Sequence, residues 1–206
     1  MRRFMSETKY KINEIFYSVQ AEGANAGRPA VFVRFAGCNL KCPFCDTNHE
    51  PFVEMTQSEI EAEVNRLDPT KQTDRQAIVV FTGGEPTIQL NDADPNGMCW
   101  GRYRCMETNG ILSPPRWVEH TTISPKTKLS EDQWRLGDEL KFLYGWFDDE
   151  YLVEVGKRAE FFGIPCYIQP TADKDGKFDA LPAIEFAKAH PWWRLSLQFH
   201  KLIDIR

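Results

Sequence analysis

Three cysteines fall within eight residues, in Gly37-Cys-Asn-Leu-Lys-Cys-Pro-Phe-Cys-Asp-Thr47. The spacing C-x3-C-x2-C lets three thiolates converge on one metal centre. Iron–sulfur clusters ordinarily take four thiolates. Supplying three leaves one iron with an open position, and open positions belong to reactive metals. The alternative is a closed zinc knuckle, in which His49 completes C-x3-C-x2-C-x3-H. A second chemical segment is Thr82-Gly-Gly-Glu-Pro86. Two glycines after a buried strand let backbone groups approach a ligand closely. A tight turn with no ligand is the bland reading of the same residues.

These segments need a frame, and the chain supplies one. Val31–Phe35 reads as a strand, and Ile78–Phe81 is a continuous apolar run suited to a buried parallel strand. Between them Thr56 and Glu59 form a capping box before Ile60, Val64 and Leu67, which share one helical face. Further strands are expected at Tyr103–Glu107, Thr121–Ser124, Glu139–Leu143, Cys166–Gln169 and Leu195–Phe199. Helices are expected at Glu150–Phe162, closed by Gly163, and at Leu181–His190, closed before Pro191. Asn91–Gly101, with Asp94-Pro-Asn-Gly97, is turn-forming and lacks an amphipathic helix. Alternation of strand and helix implies a parallel sheet with crossover helices, whose ligands gather at the carboxyl ends of the strands.

Composition narrows the partners. A chain of 206 residues with 42% apolar content fits one domain with a real core. A net charge of −5, without a run of Lys or Arg, argues against nucleic-acid and anionic-membrane partners. No stretch approaches a membrane span, and residues 1–10 lack the apolar core of a signal peptide, so a cytoplasmic setting is expected. Clustered cysteines in a reducing compartment point to metal binding. Cys99, Cys105 and Cys166 are scattered and read as buried core thiols.

The cysteine triplet, followed one β-α-β unit later by the Gly-Gly-Glu-Pro turn, resembles the radical S-adenosylmethionine superfamily. Its glycine-rich turn binds the methionine amino group. S-adenosylmethionine fills the open iron position, and reduction of the cluster releases a 5′-deoxyadenosyl radical. Further segments are Glu14–Gly23, Asn25–Phe35, Cys45-Asp-Thr47, Glu107-Thr-Asn-Gly110, Ser124-Pro-Lys126, Glu139-Leu-Lys141, Ile168-Gln-Pro170 and Leu197–Leu202. Together, in order along nearly the whole chain, they look like the 7-carboxy-7-deazaguanine synthase family. Ala21 departs from the glycine more usual there.

The resemblance implies an α/β fold, an incomplete (β/α) barrel of the radical SAM type with a mostly parallel sheet, as a single domain over 1–206. It implies conversion of 6-carboxy-5,6,7,8-tetrahydropterin into 7-carboxy-7-deazaguanine with loss of ammonia, in the biosynthesis of queuosine and related deazapurines. A hydrogen is removed from C6 of the pterin, the ring contracts, and the hydrogen returns. A homodimer, Mg2+ and an electron donor such as flavodoxin or ferredoxin are implied as well. An activase that installs a glycyl radical on a partner enzyme is the alternative enzyme with this cysteine spacing, and a zinc-binding interaction module is the alternative outside enzymes.

Laid onto matching positions, the resemblance assigns the 4Fe-4S cluster to Cys38, Cys42 and Cys45, and magnesium to Thr47. It assigns S-adenosylmethionine to Phe44, Cys45, Asp46, Gly84, Ser124, Pro125, Lys126, Gln169, Pro170, Thr171 and Ala172. The pterin falls to Val19, Gln20, Ala21, Glu22, Arg34, Thr82, His200 and the terminal carboxylate of Arg206. Arg34 suits a carboxylate by guanidinium geometry, with a salt bridge between strands as the alternative. Only six residues follow His200, and at about 3.3 Å per extended residue they keep Arg206 near the pocket.

Overall fold

The computed structural model of the chain describes residues 7–45, 47, 50–73, 75–92, 97–171 and 179–205. Its strands are β1 (Lys9–Val19), β2 (Pro29–Phe35), β3 (Val53–Thr56), β4 (Ile78–Gly83), β5 (Arg104–Thr108), β6 (His120–Ile123), β7 (Glu139–Leu143), β8 (Cys166–Gln169) and β9 (Trp193–Leu195). Its α-helices are α1 (Gln57–Leu67), α2 (Glu131–Trp134), α3 (Asp149–Phe161), α4 (Leu181–Ala189) and α5 (Phe199–Leu202). The strands form one sheet in the order β3-β1-β2-β4-β5-β6-β7-β8-β9. β1 runs antiparallel to β2 and β3. From β2 onward every neighbouring pair is parallel. The edge strands β3 and β9 do not meet, so the sheet is the incomplete barrel that the sequence led us to expect.

Side chains alternate across this sheet, and the two faces have different chemistry. Val31, Val33 and Phe35 of β2, with Val79 and Phe81 of β4, pack outward on Ile60 and Val64 of α1. Leu140, Phe142 and Ile168 pack outward on Leu152, Val155 and Ala159 of α3 and on Phe186 of α4. Burying each large apolar side chain of this kind contributes about 1.5–3 kcal/mol. The inward face holds a small apolar floor, Ala30, Ile78, Val80 and Cys105 with Phe32 against it. Above that floor it is polar.

Local signals closed the helices as expected. Thr56 Oγ1 accepts from Glu59 N at 3.3 Å, and Thr56 N donates to Glu59 Oε2 at 2.8 Å, so both halves of the capping box are made. α3 ends in a Schellman motif: Gly163 takes φ +73°, its N–H donates to Glu160 O, and Ile164 N donates to Ala159 O. Residues 97–101 form turns, with Gly97, Cys99 and Gly101 all at positive φ, so no helix stands there among the described residues. No helix among them is long and apolar enough to cross a membrane.

The sequence reading missed three elements of the structure and misplaced the end of a fourth. β1, β3 and the four-residue α2 were not expected. In β1 a register shift between Ile12 and Glu14 breaks the two-residue polarity pattern that would have marked it. The expected strand Leu195–Phe199 is replaced by β9, which stops at Leu195, and by α5, which starts at Phe199. β8 ends at Gln169, and Pro170 beyond it has no N–H to extend the ladder. His200 therefore rides on a short helix and not on a strand end.

Candidate active site

The cysteine loop and the Gly-Gly-Glu-Pro turn leave adjacent strands, β2 and β4, and are bonded to each other. Gly84 N donates to Phe35 O at 3.0 Å, and Glu85 N donates to Gly37 O at 2.9 Å. Gly83 has φ +118°, and a Cβ there would collide with the backbone of Phe35. Glycine is therefore required by close approach of the chain to itself.

Glu85 was read only as part of a turn, yet it is a buried latch. Its carboxylate accepts from Thr87 N (3.1 Å), Thr87 Oγ1 (2.6 Å), Thr108 Oγ1 (2.7 Å) and Asn109 N (2.8 Å). Asn109 Nδ2 in turn donates to Asn39 Oδ1 at 2.7 Å, which ties the turn after β5 to the cysteine loop. Glu85→Ala would strand several buried donors, each costing about 1–3 kcal/mol. We expect a lowered denaturation midpoint and poorer iron retention, with Glu85→Gln between it and the parent. A midpoint equal to the parent's would show that Glu85 is no latch.

Cys38 and Cys42 are half-buried, Cys45 is exposed, and all three are free thiols. Burial pushes the Cys38 and Cys42 thiols up, and the Lys126 charge only partly offsets this at Cys42. Among the described residues no trio of metal-ligating side chains is drawn around one metal-sized space. The donor set nonetheless fits an iron–sulfur cluster: three accessible thiols on one short loop, within electrostatic reach of one another, none spent in a disulfide. Cys99, Cys105 and Cys166 are buried, and burial pushes each thiol up to about 12, so they are the inert core thiols expected.

An aromatic brace joins this loop to the turn after β6. Phe44 meets Trp146 edge-on with centroids 4.4 Å apart, and Trp146 Nε1 donates to Lys126 O at 2.8 Å. Lys126 Nζ donates to Ser124 O (2.8 Å) and Ser124 Oγ (2.7 Å). Burial, with the nearby Lys141 charge, pushes Lys126 down to about 8.

The inward face carries a connected polar cluster. Lys141 is ion-paired with Glu22 and lies 3.5 Å from Glu107 Oε1. Glu107 also accepts from Gln20 Nε2 at 3.2 Å and from Thr82 Oγ1 at 3.0 Å. Gln198 Nε2 donates to Glu22 Oε1 at 3.1 Å. Burial opposes both charges of the pair. The carboxylates outweigh it and hold Lys141 above the usual ammonium range, while Lys141 and the Gln198 hydrogen bond, with a smaller pull from His200, hold Glu22 below the usual carboxylate range. Glu107, Lys141 and Gln198 were not assigned from the sequence. For Lys141 the signal was faint: a charge at every second position, in Glu139-Leu-Lys141 of an otherwise apolar strand.

The structure thus brings Gln20, Glu22 and Thr82 together, with His200 within electrostatic reach. Ala21 is buried beside them, and Val19 is 38% exposed. Arg34 faces Glu14 in register, and its Nε donates to Glu14 Oε1 at 2.9 Å, which is the strand ion pair. Gln169 is buried at the end of β8, with buried Pro170 and exposed Thr171 after it, and Pro125 is buried. The Cys45 thiol lies 3.9 Å from Thr47 O. Asp46, His49, Ala172 and Arg206 lie outside the described residues.

Comparison with known proteins agrees with this geometry. A family described as the radical SAM superfamily matches residues 32–120. The 7-carboxy-7-deazaguanine synthase of Bacteroides thetaiotaomicron is 43% identical over 197 residues, covering 95% of this chain and 98% of that protein. The 7-carboxy-7-deazaguanine synthase of Burkholderia multivorans is 36% identical over 217 residues, covering 95% and 99%. The crystal structure of QueE from Escherichia coli shares the fold, with a TM-score of 0.69 at 23% identity over 92% of this chain and 94% of that one. With cysteine loop, glycine turn and open parallel barrel in place, and relatives this similar along its length, the chain belongs to the 7-carboxy-7-deazaguanine synthase family.

Proposed function

We propose that this chain forms 7-carboxy-7-deazaguanine from 6-carboxy-5,6,7,8-tetrahydropterin by radical ring contraction with loss of ammonia, within a single radical SAM domain. The observation that carries the reading is the inward polar cluster of Gln20, Glu22, Thr82, Glu107 and Lys141, on the barrel face beside the cysteine loop. Cys38, Cys42 and Cys45 would hold the 4Fe-4S cluster. Phe44, Gly84, Ser124, Lys126 and Gln169 would bind S-adenosylmethionine, and Thr47 would offer its hydroxyl to magnesium, a hard cation that prefers oxygen. When bound, cluster and S-adenosylmethionine supply one-electron, hydrogen-abstracting chemistry.

The chain's own residues orient the substrate. Glu22 is kept anionic by Lys141, so it can accept from the paired N–H donors of a pterin edge. Glu107 offers a second acceptor, itself held by Thr82 and Gln20. Arg34, on the same inward face, presents a guanidinium suited to the substrate carboxylate, with Glu14 fixing its Nε. The same reading takes a cytoplasmic homodimer served by a donor such as flavodoxin or ferredoxin.

Incubating reduced, cluster-loaded protein with the carboxy-tetrahydropterin and S-adenosylmethionine should give a product of the mass of 7-carboxy-7-deazaguanine. Unaltered pterin beside steady cleavage of S-adenosylmethionine would refute the substrate. Thr47→Ala should keep cluster and S-adenosylmethionine binding and lose magnesium stimulation. A magnesium response equal to the parent's would make Thr47 a structural residue.

A further inference from the structure

We propose that Glu139 is a positioning residue, one that holds the Gln20–Asn25 segment so that Gln20 and Glu22 meet Glu107 and Lys141. The inference rests on the pterin reading above for its kinetic consequence and on geometry alone for its structural one. Glu139 is 2% exposed on the inward face of β7, one pleat before Lys141. Its Oε2 accepts from Ala24 N at 2.8 Å, and its Oε1 accepts from Thr122 Oγ1 at 2.8 Å. Gly23 has φ +65°, and any Cβ there would strike the Glu139 carboxylate, so the turn is seated directly on it.

The imidazole of His120 adds to the clamp, with Nε2 3.6 Å from Glu139 Oε2 and no hydrogen-bond partner of its own. Burial disfavours the Glu139 charge, but contacts from His120, Thr122 and Ala24 outweigh it and hold the carboxyl below its usual range. A carboxylate buried at a cost, and spent on the backbone of a loop, needs a reason. The loop supplies it. Its neck is closed by Gln20 N to Arg28 O (2.9 Å) and Gly27 N to Gln20 O (2.8 Å). Its tip is met by Glu139, by Ser196 Oγ, which accepts from Gly23 N at 3.3 Å, and by Asn25 Nδ2 on Cys105 Sγ at 3.6 Å. Glu22 stands beside that tip and reaches Lys141, two residues beyond Glu139 on the same face. The motif Glu139-Leu-Lys141 therefore carries two linked duties: Glu139 places the backbone of the segment, and Lys141 meets its side chain.

Glu139→Ala tests this with two readouts. Hydrogen exchange at the Ala24 amide should speed up by at least about tenfold, whatever the substrate, because the acceptor has gone. In the cluster-loaded enzyme, KM for the pterin should rise by about tenfold to a hundredfold, since small misplacement of a binding group has effects of that size. Cluster absorbance and uncoupled S-adenosylmethionine cleavage should stay at the parent's level. Glu139→Gln keeps an oxygen acceptor for Ala24 N and should recover both readouts to within about threefold of the parent, a smaller loss than that of a missing bond. If Glu139→Ala does not fold, Thr122→Val, which frees one carboxylate oxygen, should shift both readouts in the same direction by less. Unchanged exchange at Ala24, or a Glu139→Gln variant no better than Glu139→Ala, would overturn the proposal. So would a KM change matched by equal loss of S-adenosylmethionine cleavage. A parent enzyme that turns over no pterin would refute the substrate reading, and the exchange measurement would still decide the role of Glu139.

Discussion

Replacing any one of Cys38, Cys42 or Cys45 by alanine should abolish both the brown colour of the anaerobically purified protein and its cleavage of S-adenosylmethionine. Two remaining thiolates on a short loop cannot retain a cluster whose fourth iron already lacks a protein ligand. The parent should hold about four irons, as one cubane does. The three remaining cysteines provide the control within the same chain. Cys99, Cys105 and Cys166 are buried, with thiols pushed up to about 12 by burial, so none can reach the loop or ionise near neutral pH. Their alanine variants should keep colour and cleavage while losing some stability from the small cavities created. Iron content and the charge-transfer absorbance decide the matter. Stoichiometric zinc without iron in active protein would overturn the assignment of a cluster to this loop.

The second large effect is expected at Lys141. Its ammonium is buried between Glu22 and Glu107. Lys141→Met would leave two inward carboxylates without their cation, and removing one partner of a buried pair costs about 3–5 kcal/mol. For a chain of this size that lowers Tm by about 6–20 °C. Glu22→Gln/Lys141→Met should lose less than the two single variants summed, because only Glu107 is then left without its cation.

The pH dependence follows from the shifts. Glu22 is held below its ordinary 4.5, so its contribution is present above that value and fades as pH falls through the lowered one. Lys141 is held above its ordinary 10.5, so its contribution is complete below that value and fades as pH rises past it. The stability difference between parent and Lys141→Met should therefore be largest near neutral pH and shrink at the acid end, as the carboxylates left without the lysine take up protons. A Lys141→Met variant that melts with the parent would mean the lysine is not held between these carboxylates.

Local signals sufficed for much of this protein. The capping box at Thr56 and Glu59, the glycine stop at Gly163 and the apolar run of β4 are each made by residues adjacent in the chain, so the sequence alone determined those elements. The cysteine spacing is equally local, because three ligands on one loop need no distant partner to be recognised. β1 escaped notice because its bulge after Ile12 disrupts the alternation by which a strand declares itself. The strand expected at Leu195–Phe199 ends already at Leu195, because Pro170 on the neighbouring β8 has no N–H to extend the ladder. Tertiary structure alone decided what Glu85, Glu107, Glu139 and Lys141 do. Each is one charge in its own stretch of sequence, and apart from Thr87 beside Glu85 their partners lie on other strands, on the turn after β5 or on the loop before β2. Parallel strands place several of those partners side by side, and burial makes a charge or hydrogen-bond partner valuable to each, since an inward charged group left without one is costly.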